Sequence, residues 1–407
     1  MSTYPRTRVI VVCPTEYGGQ IEHAADTAMA LAADPAVEQV VLLSRPGAAA
    51  YLGQPRVEGL SIVETVPPRR TSGFGPLRRI VQVADLVREH AQIRALSRTG
   101  GHHLVLALDS SKYPWPRLLT TQKSQRLALF LHNVKPHHDE ASASLREQVL
   151  RYLELGATRG VDRVIVHGED QKRTARATVT GDLVAVTLPT STRIDEVATA
   201  PSVPVQVAED DTPTKNQQPT DDVDQLIREP YALVLGELRA NKGVELAIDA
   251  AGDAGVPLLV AGRPESPELG RDLKQRAARA GNVKILDRFL ERSEFTRLLE
   301  SATVVVLPYT HFDAQSGILA KAVAAQLPIV ASDLPSLKEQ AGEHQPAVFA
   351  NVHDTQAFAS ALRSGFDAAV SAGRGRQLHS ESAAPDHSDW DSTVQAILGT
   401  RRTGRRH

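Results

Sequence analysis

The chain of 407 residues holds a single cysteine, Cys13, so no disulfide can form within it, and a reducing cytoplasm suits it. Cys13 lies in an apolar run and reads as a buried core thiol rather than a nucleophile. No stretch approaches the ~18 apolar residues of a membrane-spanning helix. The run from Arg6 to Cys13 is too short for the apolar region of a secretory signal, and no cleavage pattern follows it. A formal net charge of −2 argues against a dedicated nucleic-acid binder. No Gly-x-Gly-x-x-Gly follows the first apolar run, which disfavours a nicotinamide dehydrogenase. What remains, at 42% hydrophobic and 23% charged residues, is a globular composition long enough for two or three domains.

The most informative stretch is residues 304–339. Val304 to Leu307 is a short apolar run that fits a strand buried on both faces, and Pro308 stops it. A polar loop, Tyr309 to Gln315, leads to Ser316-Gly317, where a helix opens with Ile318, Leu319, Ala322 and Val323 at helical spacing. Pro328 ends that helix, and Ile329 to Ala331 starts another buried strand. This is one β-loop-α-β unit of a parallel sheet, where ligands sit beyond the carboxyl ends of the strands. The N–H groups of Ser316, Gly317 and Ile318 are then expected at a helix N-terminus facing that crevice, ready for a phosphate.

In the first half, Val9 to Val12 is a strand, Glu16-Tyr17-Gly18-Gly19 its turn and Ile21 to Ala32 an Ala-rich helix, with Val40 to Leu43 the next strand. Gly18 and Gly19 either admit a substrate or diphosphate close to the backbone or merely make a tight turn. Residues 69–126 are basic. Pro76 to Leu96 reads as a helix with Leu77, Ile80, Val81, Ala84 and Val87 on its apolar face. The basic run is either a solvated face or a patch for anionic lipid heads or a lipid-phosphate acceptor. Tyr113 and Trp115 follow on a loop, lining an acceptor site or simply packing. Leu127 to Leu131 is a strand that delivers His132 and Asn133 to its carboxyl end. The loop beyond carries His137, His138 and Asp139, in a spacing that matches no zinc signature, so no metal site is expected. Val164 to His167 is a further strand.

Residues 198–229, rich in Pro, Thr, Asp and Gln, read as an acidic, polar linker or insertion. They separate an N-terminal domain, 1–190, from a second one, 230–370; a helix around Trp390 to Leu398 and a polar tail fill 371–407. In the second domain Tyr231 to Leu235 is a strand followed by Gly236-Glu237-Leu238-Arg239-Ala240-Asn241-Lys242-Gly243, and the helix Val244 to Ala251 comes next. Pro257 to Ala261 and Val283 to Leu286 are strands, and Phe295 to Ser301 is a short helix.

These motifs resemble the GT-B glycosyltransferases of the retaining, family-4 type. The family's two Glu positions before and within the donor helix fall on Asp313 and Lys321; Gln315-Ser316-Gly317 is similar to a branch that lacks the second Glu. Arg239 and Lys242 resemble the diphosphate site of that branch, with Glu237 where the commoner form has Arg. His132-Asn133, with Pro136-His137 beyond, resembles the strand end near the donor sugar, and His167-Gly168 stands where His-Ser is usual. The resemblance implies an α/β, GT-B fold of two facing Rossmann-like domains with a cleft between them. It implies catalytic roles for His132, Arg239, Lys242 and Asp313. Donor contacts are implied for Gly18, Gly19, Asn133, Gly236, Gln315, Ser316, Gly317, Ile318 and Lys321. It further implies a nucleotide-diphospho sugar as donor substrate with no separate cofactor, a glycan, lipid-linked or small-molecule acceptor, and a last helix that crosses back onto the first domain. No Asp-x-Asp stands at a strand end, so a metal-dependent GT-A mechanism is not indicated. The remaining readings are a GT-B-shaped binding or scaffold protein that has lost catalysis, which Lys321 favours, and a sugar-nucleotide epimerase.

Overall fold

Short runs of Val, Leu, Ile and Ala, too short for helices and apolar at every position, become strands covered on both faces in each half of the chain. The computed structural model describes residues 6–66, 76–109, 113, 115–132, 156–179, 181–189, 223, 225–312, 314–373 and 390–399. The chain forms two compact units, Met1–Asp210 with Asp386–His407, and Asp211–Pro385.

The first unit runs β1 (Thr7–Val12), α1 (Gly19–Ala33), β2 (Val37–Leu43), α2 (Ala48–Tyr51), β3 (Leu60–Val63), α3 (Pro76–Thr99), β4 (Leu104–Leu108), β5 (Arg126–Phe130), β6 (Arg163–His167), α4 (Glu169–Ala175) and β7 (Asp182–Val186). Its parallel sheet has the order β3-β2-β1-β4-β5-β6-β7. Alternate residues serve opposite cores. Val9, Val11, Val105, Ala107 and Phe130 face α1, while Ile10, Val12, Leu106, Leu108 and Leu129 face Ile93 of α3.

The second unit runs β8 (Ala232–Leu235), α5 (Val244–Ala254), β9 (Leu258–Ala261), α6 (Pro267–Ala280), β10 (Val283–Leu286), α7 (Arg292–Glu300), β11 (Val304–Leu307), α8 (Gly317–Ala324), β12 (Ile329–Ser332), α9 (Pro335–Ala341), β13 (Ala347–Ala350) and α10 (Thr355–Ser371). Its parallel sheet is ordered β10-β9-β8-β11-β12-β13. Both sheets thus carry the doubly wound, Rossmann-like order. It reverses beside β1 and β4 in one unit and beside β8 and β11 in the other, the places where such sheets bind ligands. A final helix, α11 (Asp391–Leu398), belongs to the first unit, where Trp390, Val394 and Ile397 join the core around α1.

Three details correct or refine the sequence reading. The core face of α3 is Leu86, Glu89, Ile93 and Leu96, whereas Ala84 and Val87, expected inside, are exposed. The register is set by Glu89, which is drawn inward by Arg45 Nη2 at 3.0 Å. Of the two readings of Tyr113, acceptor lining or packing, the structure supports packing. Tyr113 is fully buried, and its hydroxyl donates to Glu89 at 3.4 Å. Within the expected linker, Val223 is buried and Leu226 and Ile227 are partly buried, all packing into the second unit.

Candidate active site

In the second unit the loop after β8 is held by its neighbours on both sides. The Gly236 N–H donates to Ala261 O at 3.0 Å, and Leu238 N to Arg263 O at 3.0 Å. Gly262, at φ 145°, lies so close that a Cβ there would sit 1.8 Å from Gly236 O. The following turn, Ala240–Lys242, is fixed by Thr310 N donating to Asn241 O at 3.0 Å, and a Cβ on Gly243 would meet Pro308 O at 2.0 Å. These contacts place the loops after β8 and β11 side by side at the carboxyl edge of the sheet.

Lys242 is the product of that placement. Its Nζ lies 5.8 Å from the centroid of the buried Tyr309 ring and 3.6 Å from where a Gly236 Cβ would be, with Ile318 Cδ1 at 3.5 Å from the same point. Burial, and after it the charge of Arg239, lowers the ammonium to about 8. The charge of Glu237 opposes this in a lesser degree, and among the described residues no ion pair or hydrogen bond holds the ammonium. Arg239 Nη2 donates to Glu237 Oε2 at 2.5 Å, both side chains being exposed. Of the two cations on this loop, Arg239 is thus paired, and Lys242 has no ion pair or hydrogen bond among the described residues.

Ser316 caps α8, its Oγ accepting from Leu319 N at 3.3 Å and meeting the Tyr309 hydroxyl at 3.0 Å. The expected anion site is narrower than three amides. Ser316 N–H donates to Gln340 Oε1 at 2.6 Å, and Gln340 Nε2 returns a bond to Ser316 O at 2.8 Å. The Gly317 and Ile318 amides remain at the helix end, where Gly317 has open space about its Cα. Lys321 does not share this place. Its Nζ lies 5.9 Å from the Phe295 ring of α7. Gln315 is part-buried just before the cap. Asp313 lies outside the described residues, as do Asn133, Pro136, His137, His138 and Asp139.

The first unit brings together a second cluster. Asp109, one residue past β4 and 1% exposed, accepts on Oδ1 from His132 Nε2 at 2.8 Å and from His23 Nδ1 at 3.2 Å. Gln20 Nε2 donates to the Asp109 carbonyl. Gln171 Nε2 donates to His132 O at 2.8 Å and its Oε1 accepts from His167 N at 2.7 Å. His167 stacks on His132 at 5.4 Å, and Trp390 lies 6.0 Å from His23. Burial alone would raise the Asp109 carboxyl, but the charge and hydrogen bond of His132, then those of His23, hold it well below the usual carboxylate range. Burial alone would lower His132; the Asp109 charge and hydrogen bond outweigh it and raise it. Burial pushes His167 well below its ordinary value, and the neighbouring imidazoles add to the effect. The ligand atoms of His23, Asp109 and His132 lie within 4.8 Å of one another, a spacing a divalent cation could use, although no metal was expected from sequence. Gly18, at φ 90°, and Gly19 open α1 with no atom crowding their Cα positions.

Sequence reasoning missed Asp109, His23, Gln171, Tyr309 and Gln340. Asp109 had the signal that revealed His132, an apolar run, Leu104 to Leu108, ending in a polar residue. His23 had none, since it sits among alanines in mid-helix.

Residues 229–366, on which the Lys242 loop and α8 lie, match the family model of Glycosyl transferases group 1. The second unit carries a glycosyl transferases group 1 domain. That transferase domain is one part of a whole-chain likeness in fold. Sucrose-phosphate synthase from Thermosynechococcus elongatus superposes with a TM-score of 0.65 at 15% identity, over 97% of this chain and 95% of that one. The α,α-trehalose-phosphate synthase (UDP-forming) from Burkholderia xenovorans, in complex with glucose-6-phosphate, gives 0.61 at 13% identity, over 96% and 100%. HepE of Anabaena, in complex with UDP and glucose, gives 0.60 at 14%, over 97% and 96%. No curated protein sequence matches the chain. The fold is GT-B in kind, with two parallel-sheet, Rossmann-like domains.

Proposed function

We propose that the protein is a hexosyltransferase-type glycosyltransferase that moves a sugar from a nucleotide-diphospho sugar, with UDP as the nucleotide, to a glycan, lipid-linked or small-molecule acceptor. The observation that carries this reading is Lys242, a half-buried ammonium that no hydrogen bond or ion pair holds among the described residues and that feels Glu237 only weakly, beside the helix end of the region that matches glycosyl transferases group 1. A buried cation without a partner costs stability unless a ligand supplies the missing charge. The leaving diphosphate gathers negative charge as the glycosidic bond breaks, and preorganised donors aimed at that charge lower the barrier. Lys242 and the Gly317 and Ile318 amides are such donors; Arg239 joins them by releasing Glu237. The choice of UDP is supported by two proteins of like fold, HepE of Anabaena in complex with UDP and a UDP-forming trehalose-phosphate synthase.

A panel of UDP-hexoses tests the reading. Thermal shift shows which one binds, because a ligand held only by the folded state raises its melting temperature. Transfer or slow hydrolysis of that donor then shows catalysis. A second reading, a binding protein without turnover, is favoured by the Arg239–Glu237 pair and by Lys321 lying over Phe295. A UDP-induced shift with neither transfer nor hydrolysis would establish it.

A further inference from the structure

Helix α3 carries a second apolar face that its own core does not use. Val83, Val87, Ala91, Arg94 and Arg98 recur at helical spacing on the side away from Ile93, and all are exposed. Arg94 Nη1 donates to Leu118 O at 2.8 Å and Thr120 O at 2.7 Å. That anchors the short 3-10 turn Pro116–Leu119 against the helix. The turn adds two more apolar groups to the same neighbourhood. Val83, Val87, Trp115 and Leu118 are 61%, 62%, 60% and 58% exposed. In a chain whose other tryptophan is buried, this is an unusual place to leave large apolar side chains.

The charge around these groups is predominantly positive; the exception is the exposed Asp162, which is paired with Arg117 of the same turn. Between residues 81 and 132 the acids are Asp85, Glu89 and Asp109. Glu89 and Asp109 are buried, and Asp85 is mostly covered, pairing with Arg88 at 3.6 Å. Arg88, Arg94, Arg98 and Lys123 are exposed. The sequence segment is basic by count; the fold makes its surface more so by turning the acids inward. An apolar centre with a cationic border matches an anionic bilayer surface, where tryptophan and valine enter the interface and arginines meet lipid phosphates. No helix of the described residues is long and apolar enough to cross a membrane, so the contact is peripheral.

We propose that Val83, Val87, Trp115 and Leu118, bordered by Arg88 and Arg98, form a docking face for an anionic lipid bilayer. The inference does not depend on the transferase reading. Lipid binding needs no sugar donor, and either can fail without the other.

The test is co-sedimentation of the full chain with vesicles of phosphatidylglycerol and phosphatidylcholine in equal parts, against phosphatidylcholine alone, at about 0.1 M salt. Binding to the anionic vesicles is expected, with little to the neutral ones. Trp115 emission should shift to the blue on binding, and Trp115→Phe should bind while losing that shift. Val87→Asp should weaken partitioning on the order of tenfold, and Arg98→Gln about fivefold. Both are surface positions, and a melting curve for each variant confirms that it is folded. Negligible binding to both vesicle types overturns the proposal. So does vesicle binding that Val87→Asp and Arg98→Gln leave unchanged, since the contact then lies elsewhere. Binding to soluble polyglutamate as strong as to vesicles would also overturn it and assign the face to an acidic protein.

Discussion

At Lys242 the partial burial on which the proposed donor site rests also weakens the fold. The ammonium titrates near 8 in the folded chain, below the ordinary 10.5 of an exposed lysine. Between those values the unfolded chain binds the extra proton, so stability rises with pH across that window. Lys242→Met is therefore expected to stabilise the fold at pH 7 by on the order of 1–3 kcal/mol, seen as a higher melting temperature. The same change should reduce turnover by about 10²–10³. Steady-state kinetics beside a melting curve checks both, and a variant that is destabilised with normal turnover contradicts the reading. Donor affinity should fall as pH rises through about 8, as the free ammonium loses its proton.

Asp109 stabilises where Lys242 destabilises, although stability rises with pH across the window of each. Its depressed carboxyl contributes stability above the usual carboxylate range and loses it as pH falls through the folded value. The raised His132 contributes below its ordinary 6.5 and loses that contribution as pH rises through its folded value. In Asp109→Asn the His132 titration, followed by NMR of its ring protons, should move below 6.5, and the fold should lose about 1–3 kcal/mol. Turnover falling with it, on a protein still folded, would tie the cluster to transfer. Wild-type turnover would leave His132 as a structural histidine.

Among the elements, the two loops at the edge of the second sheet are fixed by glycines of different kinds. Gly262→Ala should cost about 3 kcal/mol and abolish donor binding, because its methyl would displace the Gly236 carbonyl and the loop that carries Lys242. Gly317→Ala meets no neighbour and should leave melting unchanged. A loss of UDP affinity in that variant, by titration calorimetry, would show that the open end of α8 faces the ligand. The sequence revealed these elements unevenly. Strands such as Val304–Leu307 and Val283–Leu286 stand between turn residues and are plain in it. Leu104–Leu108 was equally apolar but escaped, and Asp109 with it. The register of α3 is not legible in the sequence because both of its faces carry aliphatic residues, and the pairing of Glu89 with Arg45 decides which is inside. That Ser316 gives its amide to Gln340 depends on a contact 24 positions away in sequence, beyond any local pattern.

For the whole molecule, alternation of apolar strands and helices was enough to imply two doubly wound units, since each sheet needs helices on both faces. Which unit claims the last helix came from the family resemblance, because α11 is as apolar as helices of either unit. In the structure Trp390, Val394, Ile397 and Leu398 are buried beside α1. Removing the chain from residue 386 onward should destabilise the first unit by on the order of 5 kcal/mol and leave the second unit's melting transition in place. Two-wavelength thermal denaturation, with UDP added to mark the second unit, separates the two; a single unchanged transition contradicts the packing.

That return of the chain sets an order of events during synthesis. The ribosome delivers β1 to β7 first and α11 after all of the second unit. Until then the face of α1 that receives Trp390 has no cover, and a nascent chain stalled in the second unit presents that face to chaperones or proteases. The second unit has all its strands before α11 emerges, so it is the half that can mature while its elder waits. The cluster around α1 is complete only on chains translated through α11, whereas the cluster on the other face of the sheet does not need it.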